Sequence, residues 1–525
     1  MCDLRNHRAS HTQHLTEVMF CVWEVVRHLR GAEPWPFLNP VGRTGNNLRG
    51  IRGSGQIRID SRACRSPALC ERARSGLESS PAAYDRAMNH MTCGRAVLAR
   101  VAKDLGIEVG SVDDVPGPAV GVPLPSRLAT AELAWASVAS VLLATGTDAV
   151  SALDADRIAL SYRSDRLLRI DGEAPDVWSP YSGFWLAADG WIRTHGNYPH
   201  HAAALLDALD LRDGASADEV RAVLAAASAR ESVQRISAAG GLAVVVSPEN
   251  PARDAALREQ PLVDIRRAGD APQARPDLSR AQAPLRGIRV LDLTRVIAGP
   301  VCTRTLALLG ADVLRIDPPH LPEPEWQHLD TGHGKRSTIL DARSPEMSTL
   351  LAHADIVVLG YRPAALDRLG LSPTAVAERH PHLVVAQLSA WGIEHPDRAG
   401  FDSLVQADSG IALVESPDGE TPGVLPAQAL DHSAGYLLAA GVVAAIRRRR
   451  EEGGSWRVST SLRRVAAELL GMPRHAMPAS PREIDPADHI QDFAVGGRTV
   501  TTVRSALPGF SFAAPRSWGS DAPEW

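Results

Sequence analysis

A strand–turn–helix–strand pattern over residues 284–316 constrains the fold more than any other stretch of the chain. The apolar residues at 288–293 are typical of a strand that is covered on both faces of a parallel sheet. Pro300 stands where a helix begins, because the first helical position tolerates its missing N–H group, and Gly310 ends that helix. The pattern predicts a right-handed β-α-β unit whose helix start points backbone N–H groups at a bound anion.

Strands and helices continue to alternate toward the C-terminus. Strands are predicted at 337–340, 355–359 and 383–388, with a helix at 345–353. This alternation predicts an α/β fold with a doubly wound, mostly parallel sheet. Ligands of such sheets bind at the carboxyl ends of the strands, so we expect the site among the loops 294–299, 331–336, 360–363 and 390–393.

Length and composition narrow the class of protein. A chain of 525 residues is too long for one hydrophobic core, and its 44% hydrophobic and 22% charged residues are typical of a soluble enzyme. The net charge of -5 argues against a nucleic-acid partner. The apolar stretches 131–144 and 436–446 are too short to span a bilayer, and the N-terminus lacks a signal-peptide pattern. We therefore predict a cytoplasmic protein without membrane or nucleic-acid partners.

The N-terminal segment differs from the rest of the chain. Residues 1–87 carry 13 Arg, no Lys and 8 acidic residues, and five of the six cysteines lie within the first 93 positions without metal-binding spacing. The segment offers too little periodic apolar surface to offset the entropy lost on ordering. We predict a disordered extension over residues 1–90; a nucleic-acid-binding tail is the less favoured interpretation.

Residues 91–275 are predicted to form a smaller α+β domain. Helices are expected at 93–110, 129–143, 202–209, 217–227 and 233–239, and short strands at 158–162 and 167–170. The segment 183–196 predicts a β-hairpin around the Asp189-Gly190 turn. His195, His200 and His201 follow it, but no nearby carboxylate or Cys completes a ligand set, so no metal site is predicted.

Five blocks in a fixed order resemble the class III CoA-transferases, the CaiB/BaiF group that includes formyl-CoA and carnitine CoA-transferases and alpha-methylacyl-CoA racemase. The first block is VLDLTRVIAGP at 290–300, and the others lie at 332–341, 357–371, 399–410 and 430–458. The resemblance implies a Rossmann-like large domain at 284–475 that binds CoA. It also implies acyl-CoA and a carboxylic acid as substrates, no permanently bound cofactor, and an intertwined homodimer.

The middle region resembles the small domain of the same family, which ordinarily follows the large domain. In this chain it precedes the large domain, so the parts are expected in permuted order, with a linker at 276–283 and a C-terminal tail at 476–525. The helix at 132–143 also resembles the segment that follows Val458, which favours an internal duplication or a permutation.

Asp431 is the candidate catalytic residue. It stands near the start of a long apolar helical run, and in the family that this chain resembles the aspartate at this place is the nucleophile. There it forms an acyl anhydride and then an aspartyl-CoA thioester; a carboxylate is suited to this because it both attacks and leaves. The helix start is expected to keep the carboxylate ionised. The alternative is that Asp431 only caps the helix, a frequent role of Asp.

Phe401 separates two branches of the family. Where the racemases have Gly-His-Asp, this chain has Gly400-Phe401-Asp402, and a phenyl ring cannot exchange protons. CoA transfer is therefore favoured over racemisation. An acyl-CoA racemase and a catalytically silent CoA-binding paralogue remain the alternatives.

The predicted CoA-binding residues lie in the motif loops of the large domain. Lys335 is one of only two lysines in the chain, and its glycine-flanked loop suits a phosphate contact. Arg368 matches an arginine that binds CoA in formyl-CoA transferase. The full set is Val296, Ile297, Ala298, His333, Gly334, Lys335, Arg336, Tyr361, Arg362, Arg368, Trp391 and Gly392.

Overall fold

A computed structural model describes residues 81–108, 112, 115, 121–146, 153–272, 283–478 and 481–525, with side chains from Cys93 onward. Its contacts divide the chain into two units, Met1–Met88 and Asn89–Trp525, and every strand of the described residues belongs to the second unit. The disorder predicted for 1–90 lies outside the described residues as far as residue 80, and residues 81–90 are helical. The linker predicted at 276–283 also lies outside them, apart from residue 283.

The described part of the second unit alternates between helices and strands over most of its length. The helices are α1 Pro81–Leu105, α2 Thr130–Thr145, α3 Ala155–Tyr162, α4 Ser164–Leu167, α5 Pro199–Ala208, α6 Ala217–Ala225, α7 Ala229–Ala238, α8 Pro251–Glu259, α9 Ala298–Leu308, α10 Glu325–Thr331, α11 Pro345–Ala352, α12 Pro363–Arg368, α13 Pro373–Arg379, α14 Asp402–Ser409, α15 Ile411–Val414, α16 Ala429–Glu452 and α17 Leu462–Gly471, with a 3-10 turn at Ala487–His489. The strands are β1 Arg169–Ile170, β2 Phe184–Ala187, β3 Gly190–Thr194, β4 Ala243–Val245, β5 Asp264–Gly269, β6 Arg289–Leu293, β7 Asp312–Asp317, β8 Lys335–Ile339, β9 Ile356–Leu359, β10 Val384–Ser389, β11 Ser455–Ser461, β12 Ile490–Val495 and β13 Arg498–Val503.

A seven-stranded sheet forms the centre of the molecule, in the order β5-β11-β10-β9-β6-β7-β8. All neighbouring strands are parallel except β5, which pairs antiparallel with β11 at one edge. Strand β9 is buried along its whole length, as its apolar sequence requires in a sheet covered on both faces. The mixed α/β fold with a mostly parallel sheet is therefore confirmed, whereas the doubly wound arrangement and the permuted order of parts stay predictions.

Helix α16 is the central helix of the largest hydrophobic cluster. On length and composition it could cross a bilayer, but its apolar window is 100% buried inside the protein, as in the core helix of a folded domain. Two glycines allow the close packing: a Cβ on Gly435 would lie 2.6 Å from the carbonyl oxygen of Ala298 in α9, and one on Gly441 would lie 2.6 Å from Val263. Helix α16 thereby holds its first turn against the start of α9.

A smaller antiparallel sheet, β2-β3-β4, lies against helix α14. The hairpin predicted at 183–196 is confirmed by β2 and β3, which pair from Phe184↔Arg193 to Ala187↔Gly190. One face of this sheet buries Ile192 in its own apolar cluster. Beyond β4, the backbone N–H of Ser247 donates to the carbonyl of Ala407 in α14 at 3.0 Å, so the small sheet is fixed beside the carboxyl edge of the large one.

Two local predictions were wrong. Residues 158–162, predicted as a strand, belong to helix α3, whose N-cap Asp154 accepts bonds from the backbone N–H groups of Asp156 and Arg157. All five residues 158–162 are buried, so the run shows no periodicity that would separate a brief strand from a brief helix. Helix α9 also begins at Ala298, so Pro300 is its third residue and not its first.

The packing of Gly435 predicts the effect of one methyl group. Gly435→Ala places its Cβ against a backbone oxygen that cannot move alone, so we expect a net destabilisation of about 1–3 kcal/mol although Ala has the higher helix propensity. Calorimetric Tm measures the change. The matched control is Gly121→Ala, whose Cβ would meet nothing within 4 Å; equal Tm values for the two variants would contradict the tight crossing.

Candidate active site

A cavity lies between the carboxyl edge of the large sheet and the small sheet. The loop after β6, the start of α14 and the first turn of α16 form one side of it, and the segment after β3 forms the other. Its lining residues are Asp165, Val177, Trp178, His195, Asn197, Tyr198, Val296, Ile297, Trp326, Gln327, Phe401, Asp402, Ser403, Gln428 and Asp431. The predicted residues Val296, Ile297 and Asp431 thus meet in one place.

Two carboxylates lie side by side in this cavity. Asp402 is the first residue of α14 and Asp431 is the third residue of α16. The Oδ2 atom of Asp402 accepts the backbone N–H of Asp431 at 2.9 Å, and its Oδ1 atom accepts from Gln406. Gln406 in turn accepts the backbone N–H of Leu425 at 2.9 Å. This chain of bonds fixes the backbone from which the Asp431 carboxylate projects.

Burial raises the pKa of both carboxyl groups. The pKa of Asp402 rises to about 6, although the bonds from Asp431 and Gln406 favour its ionised form. The pKa of Asp431 is raised well above its ordinary value of 3.8, by burial and then by the charge of Asp402. The helix start was expected to keep Asp431 ionised; burial and the like charge outweigh that effect.

The alternative role of Asp431 as a helix cap is wrong. The N-cap position of α16 is Gln428, and no side chain caps this helix start. Within the described part of the chain, the carboxylate of Asp431 accepts no hydrogen bond, and its pKa carries no hydrogen-bond contribution. A buried carboxylate that stabilises nothing around it is available for a ligand or for chemistry.

The loop between β6 and α9 is held in a strained conformation. Val296 has a φ of 72°, which is rare for a β-branched residue. Its backbone N–H donates to Glu323 at 3.1 Å, and Arg295 donates to the same buried carboxylate at 2.7 Å. Tyr198, from the small-sheet side, also donates to Glu323 at 3.0 Å. These hydrogen bonds to Glu323 therefore hold Val296, which lines the cavity, in its strained backbone conformation.

A second cavity lies between the loops after β9 and β10. Tyr361, Arg362, Trp391 and Gly392 line it, so four of the predicted CoA-binding residues come together there. Arg398 also lines it, with its guanidinium 3.4 Å from the centre of the Trp391 ring. Gly400 borders this cavity and Phe401 borders the first, so the two cavities adjoin at neighbouring residues.

Two other predicted residues lie outside both cavities. Arg368 is exposed at the end of α12 and pairs with Asp397 at 3.7 Å. Ala298 is buried at the start of α9.

The loop 331–336 does not lie at the carboxyl edge of the sheet, so that prediction was wrong. The loop leads into β8, whose first residue Lys335 pairs with Val313 at the start of β7, which places it at the amino edge. His333 is buried between the rings of Phe493 and Phe512, and Gly334 donates its N–H to the carbonyl of Ala514.

The loop is covered by the C-terminal segment of the chain. Arg336 binds Asp312 through two bonds of 3.0 Å and donates to the carbonyl of Glu524. The sequence pattern failed here because it did not show whether the loop follows a strand or precedes one.

Lys335 is an interior residue. Its Nζ donates to Asp292 at 3.0 Å and to the carbonyl of Pro300 at 3.0 Å, and burial lowers its pKa to about 8. A phosphate contact would require this ion pair to open.

Several residues around the cavity have no motif that could have revealed them. The imidazole of His195 stacks on the Phe401 ring at 4.0 Å, and its Nδ1 is buried without a partner in the described structure. Trp178 and Arg193 come from the same small-sheet region, and Glu323 comes from a loop. In the described residues, no group of three His, Cys, Asp or Glu side chains could hold a metal ion. Only Asp402 carried a sequence signal, through its place in the Gly-Phe-Asp motif.

The fold and the cavity define an α/β protein with paired buried carboxylates at the carboxyl edge of a parallel sheet. Residues 285–496 match the model of CoA-transferase family III. Over this segment the chain is similar to the class III CoA-transferases, which confirms the resemblance drawn from its motifs.

Two curated relatives and one solved structure are similar to part of this chain. The chain is 32% identical over 211 residues to the probable fatty acyl-CoA transferase Rv3272 of Mycobacterium tuberculosis, covering 36% of this chain and 53% of that protein. It is 30% identical over 195 residues to a formyl-CoA:oxalate CoA-transferase of Rhodopseudomonas palustris, covering 34% and 46%. A crystal structure of Rv3272 matches with 33% identity and a TM-score of 0.33, covering 36% and 56%. The chain thus spans about half the length of these relatives.

The raised pKa of Asp431 predicts that its charge destabilises the folded protein. A carboxyl group with a higher pKa in the folded state contributes its full stabilisation below its ordinary pKa of 3.8 and loses it as pH rises through the folded value. Asp431→Asn should therefore raise Tm at neutral pH, with a gain that shrinks toward pH ~4. Thermal scans from pH 4 to 8 measure it, with exposed Asp367→Asn as the control. A pH-independent difference would contradict the pKa shift.

The burial of Lys335 predicts a structural role. Lys335→Met leaves Asp292 buried without its cation, which should cost about 3–5 kcal/mol. CoA affinity, measured by calorimetric titration of the folded variant, should stay within about threefold of wild type, a change under 1 kcal/mol. The control is Lys103→Met, at the other lysine of the chain, which is exposed on α1. An unchanged Tm with lost CoA affinity would instead support the phosphate contact.

Proposed function

We propose that this protein transfers CoA from an acyl-CoA donor to a carboxylic acid, with Asp431 as the nucleophile. The observation that carries the proposal is the Asp431 carboxylate itself, which borders the cavity and accepts no hydrogen bond from the described residues. Both relatives are named as CoA-transferases, and the family match covers the whole segment from β6 to β12.

The reaction balances with the Asp431 carboxylate, the acyl-CoA donor and the acceptor acid, and it needs no further reactant. The Asp431 carboxylate attacks the thioester carbonyl, forming an acyl-aspartyl anhydride and releasing CoA thiolate. The thiolate attacks the aspartyl carbonyl, giving an aspartyl-CoA thioester and the free donor acid. The acceptor carboxylate attacks this thioester, which forms a second anhydride between Asp431 and the acceptor and releases CoA thiolate. The thiolate then attacks the acceptor carbonyl of that anhydride, which gives the acceptor-CoA thioester and regenerates the Asp431 carboxylate. Each step exchanges one acyl leaving group for another, so a difficult transfer becomes a series of easier ones.

Asp402 acts on this chemistry through Asp431. Its hydrogen bond to the Asp431 backbone positions the nucleophile, and its charge raises the pKa of Asp431. The attacking group is the ionised carboxylate, so we expect the rate of CoA transfer to fall as the pH drops through the pKa of the Asp402–Asp431 pair. Once it is ionised, a carboxylate with a raised pKa is also the better nucleophile. Asp402 is thus a positioning residue in this proposal.

The second cavity is the proposed place for the CoA nucleotide. Arg362 and Arg398 supply positive charge there, and Tyr361 and Trp391 supply aromatic surface. Because the two cavities adjoin at Gly400 and Phe401, a pantetheine arm could reach from the second cavity to Asp431. The homodimer, the cytoplasmic location and the role of Arg368 stay predictions.

An acyl-CoA racemase is the second candidate, and the stacking of His195 on Phe401 favours it. The racemase branch has a histidine at the position of Phe401, and in this chain the imidazole of His195 lies beside the Phe401 ring. Burial lowers the pKa of His195 to about 3, so the ring is neutral at physiological pH and only weakly basic, which disfavours proton abstraction and leaves CoA transfer the better supported function. Deuterium entering the alpha carbon of a 2-methylacyl-CoA, without any acceptor acid, would support racemisation over transfer.

The nucleophile proposal predicts a sharp difference between binding and turnover. Asp431→Ala and Asp431→Asn should each lower the rate of CoA exchange by at least about 10³-fold, because the covalent steps need a carboxylate. CoA affinity should change little, since the loops after β9 and β10 carry it. Exchange of labelled CoA and calorimetric titration measure the two quantities, and hydroxylamine should convert Asp431 of the wild type, activated as the anhydride or the CoA thioester, into a hydroxamate.

Asp367→Asn is the control for this experiment, because Asp367 is exposed on α12 outside both cavities. Near-normal exchange by Asp431→Asn would move the nucleophile elsewhere, with Asp402 the next carboxylate to test.

A further inference from the structure

Arg193 is a buried cation without an anionic partner in contact. Only 7% of the residue is exposed, and the guanidinium lies over the rings of Trp178, at 5.5 Å, and Phe184, at 4.8 Å. Among the described residues no side chain or carbonyl accepts a hydrogen bond from it, and its Nε is completely buried and unpaired. Its Nη atoms are not enclosed in this way.

Other arginines that are buried as deeply do have acceptors. Arg315 binds Asp317 at 2.8 Å, Arg463 binds Asp254, and Arg304 donates to the carbonyl of Asp330 at 2.9 Å. Burying a guanidinium without such a bond is costly, because water is lost and nothing replaces it. Burial lowers the pKa of Arg193 only to about 10, so the side chain stays charged at neutral pH. An anion brought by a ligand would supply the missing partner.

Arg193 lies on the cavity side of the small sheet. His195 is two residues further along the chain, on the same side as Arg193, and lines the cavity. Trp178, which covers one face of the guanidinium, also lines the cavity. Arg193 itself does not line the cavity and lies behind Trp178, which does. Its charge acts on Asp402 and on His195, which also line the cavity.

We propose that Arg193, held between Trp178 and Phe184, binds a second carboxylate of the substrate, so that the acid handled by this protein is a short dicarboxylic acid or its mono-CoA thioester. The inference rests on the proposed function: one carboxylate exchanges CoA at Asp431 while the other is held at Arg193. A guanidinium between two rings presents its edge, and the two Nη atoms can pair end-on with the two oxygens of a carboxylate. Arg193 lies outside residues 285–496, so this specificity comes from the small-sheet region.

Matched acids test the proposal. Succinate is compared with butyrate, and malonate with propionate, as acceptors of CoA from one acyl-CoA donor. Wild type should use each dicarboxylate with a kcat/KM about 30-fold to 100-fold above its monocarboxylate partner, the worth of a charge-assisted bond. Arg193→Gln should remove this preference, mainly through KM, because it lowers kcat/KM much more for each dicarboxylate than for its monocarboxylate partner. Arg193→Lys keeps the charge but not the paired geometry, and should lose part of the preference.

Arg221→Gln is the control, because Arg221 also lies over a tryptophan of the same sheet, at 5.9 Å, but is exposed. It should behave as wild type. Equal use of the two acids by wild type, or an equal loss for both in Arg193→Gln, would overturn the proposal.

A binding measurement separates this inference from the transferase function. Succinate alone should raise the Tm of wild type and of Arg221→Gln more than butyrate does, and should not do so for Arg193→Gln. If wild type transfers CoA to no acid but shows this pattern, the transferase function fails and the carboxylate site stands. If Arg193→Gln does not fold, the same comparison in Arg193→Lys decides; a Lys variant with the full wild-type preference for the dicarboxylate would contradict the paired geometry.

Discussion

The hydrogen bond from the backbone of Asp431 to the side chain of Asp402 joins the starts of two helices, and the geometry of the cavity depends on it. Both carboxylate oxygens of Asp402 accept hydrogen bonds, one from Gln406 in α14 and one from the backbone N–H of Asp431 in α16. Asp431, by contrast, is held through its backbone and leaves its carboxylate unbound by the described residues. The two aspartates thus have different roles, because Asp402 is hydrogen-bonded through its carboxylate oxygens and Asp431 only through its backbone N–H group.

Buried charge is arranged around the cavity in two ways. Glu323 and Asp292 are enclosed carboxylates that are fully partnered, the first by Arg295 and Val296 and the second by Lys335. These groups hold the β6 loop and the helix that follows it. Asp431, which lines the cavity, and Arg193, which lies behind the lining residue Trp178, lack such partners among the described residues. Paired charges therefore form the frame, and unpaired charges lie at or near the space where a ligand would lie.

The sequence predicted the parts of this site that depend on local order. The β-α-β unit at 284–316, the hairpin before His195 and the place of Asp431 near a helix start all follow from neighbouring residues, and the structure contains them. The loop at 331–336 was misplaced because a motif does not tell whether its loop enters or leaves a strand. His195, Trp178 and Arg193 could not be assigned, since their meeting with Asp402 depends on how the small sheet packs against α14. Such contacts join residues about 200 positions apart, and no periodic pattern encodes them.

The C-terminal segment has a consequence for association between molecules. Strand β8 is the outer strand of the large sheet, and an uncovered outer strand offers its backbone to any other strand. Here Ser337 donates its N–H to the side chain of Asp521 at 2.9 Å and accepts the N–H of the same residue at its carbonyl, at 2.8 Å. At the opposite edge, β5 carries Arg266 and Arg267, each of which forms an ion pair with a nearby aspartate. Charged side chains on an outer strand disfavour its pairing with the edge strand of another molecule. The protein thus blocks one edge with its own chain and the other with charge, so its sheet is protected from growing across molecules.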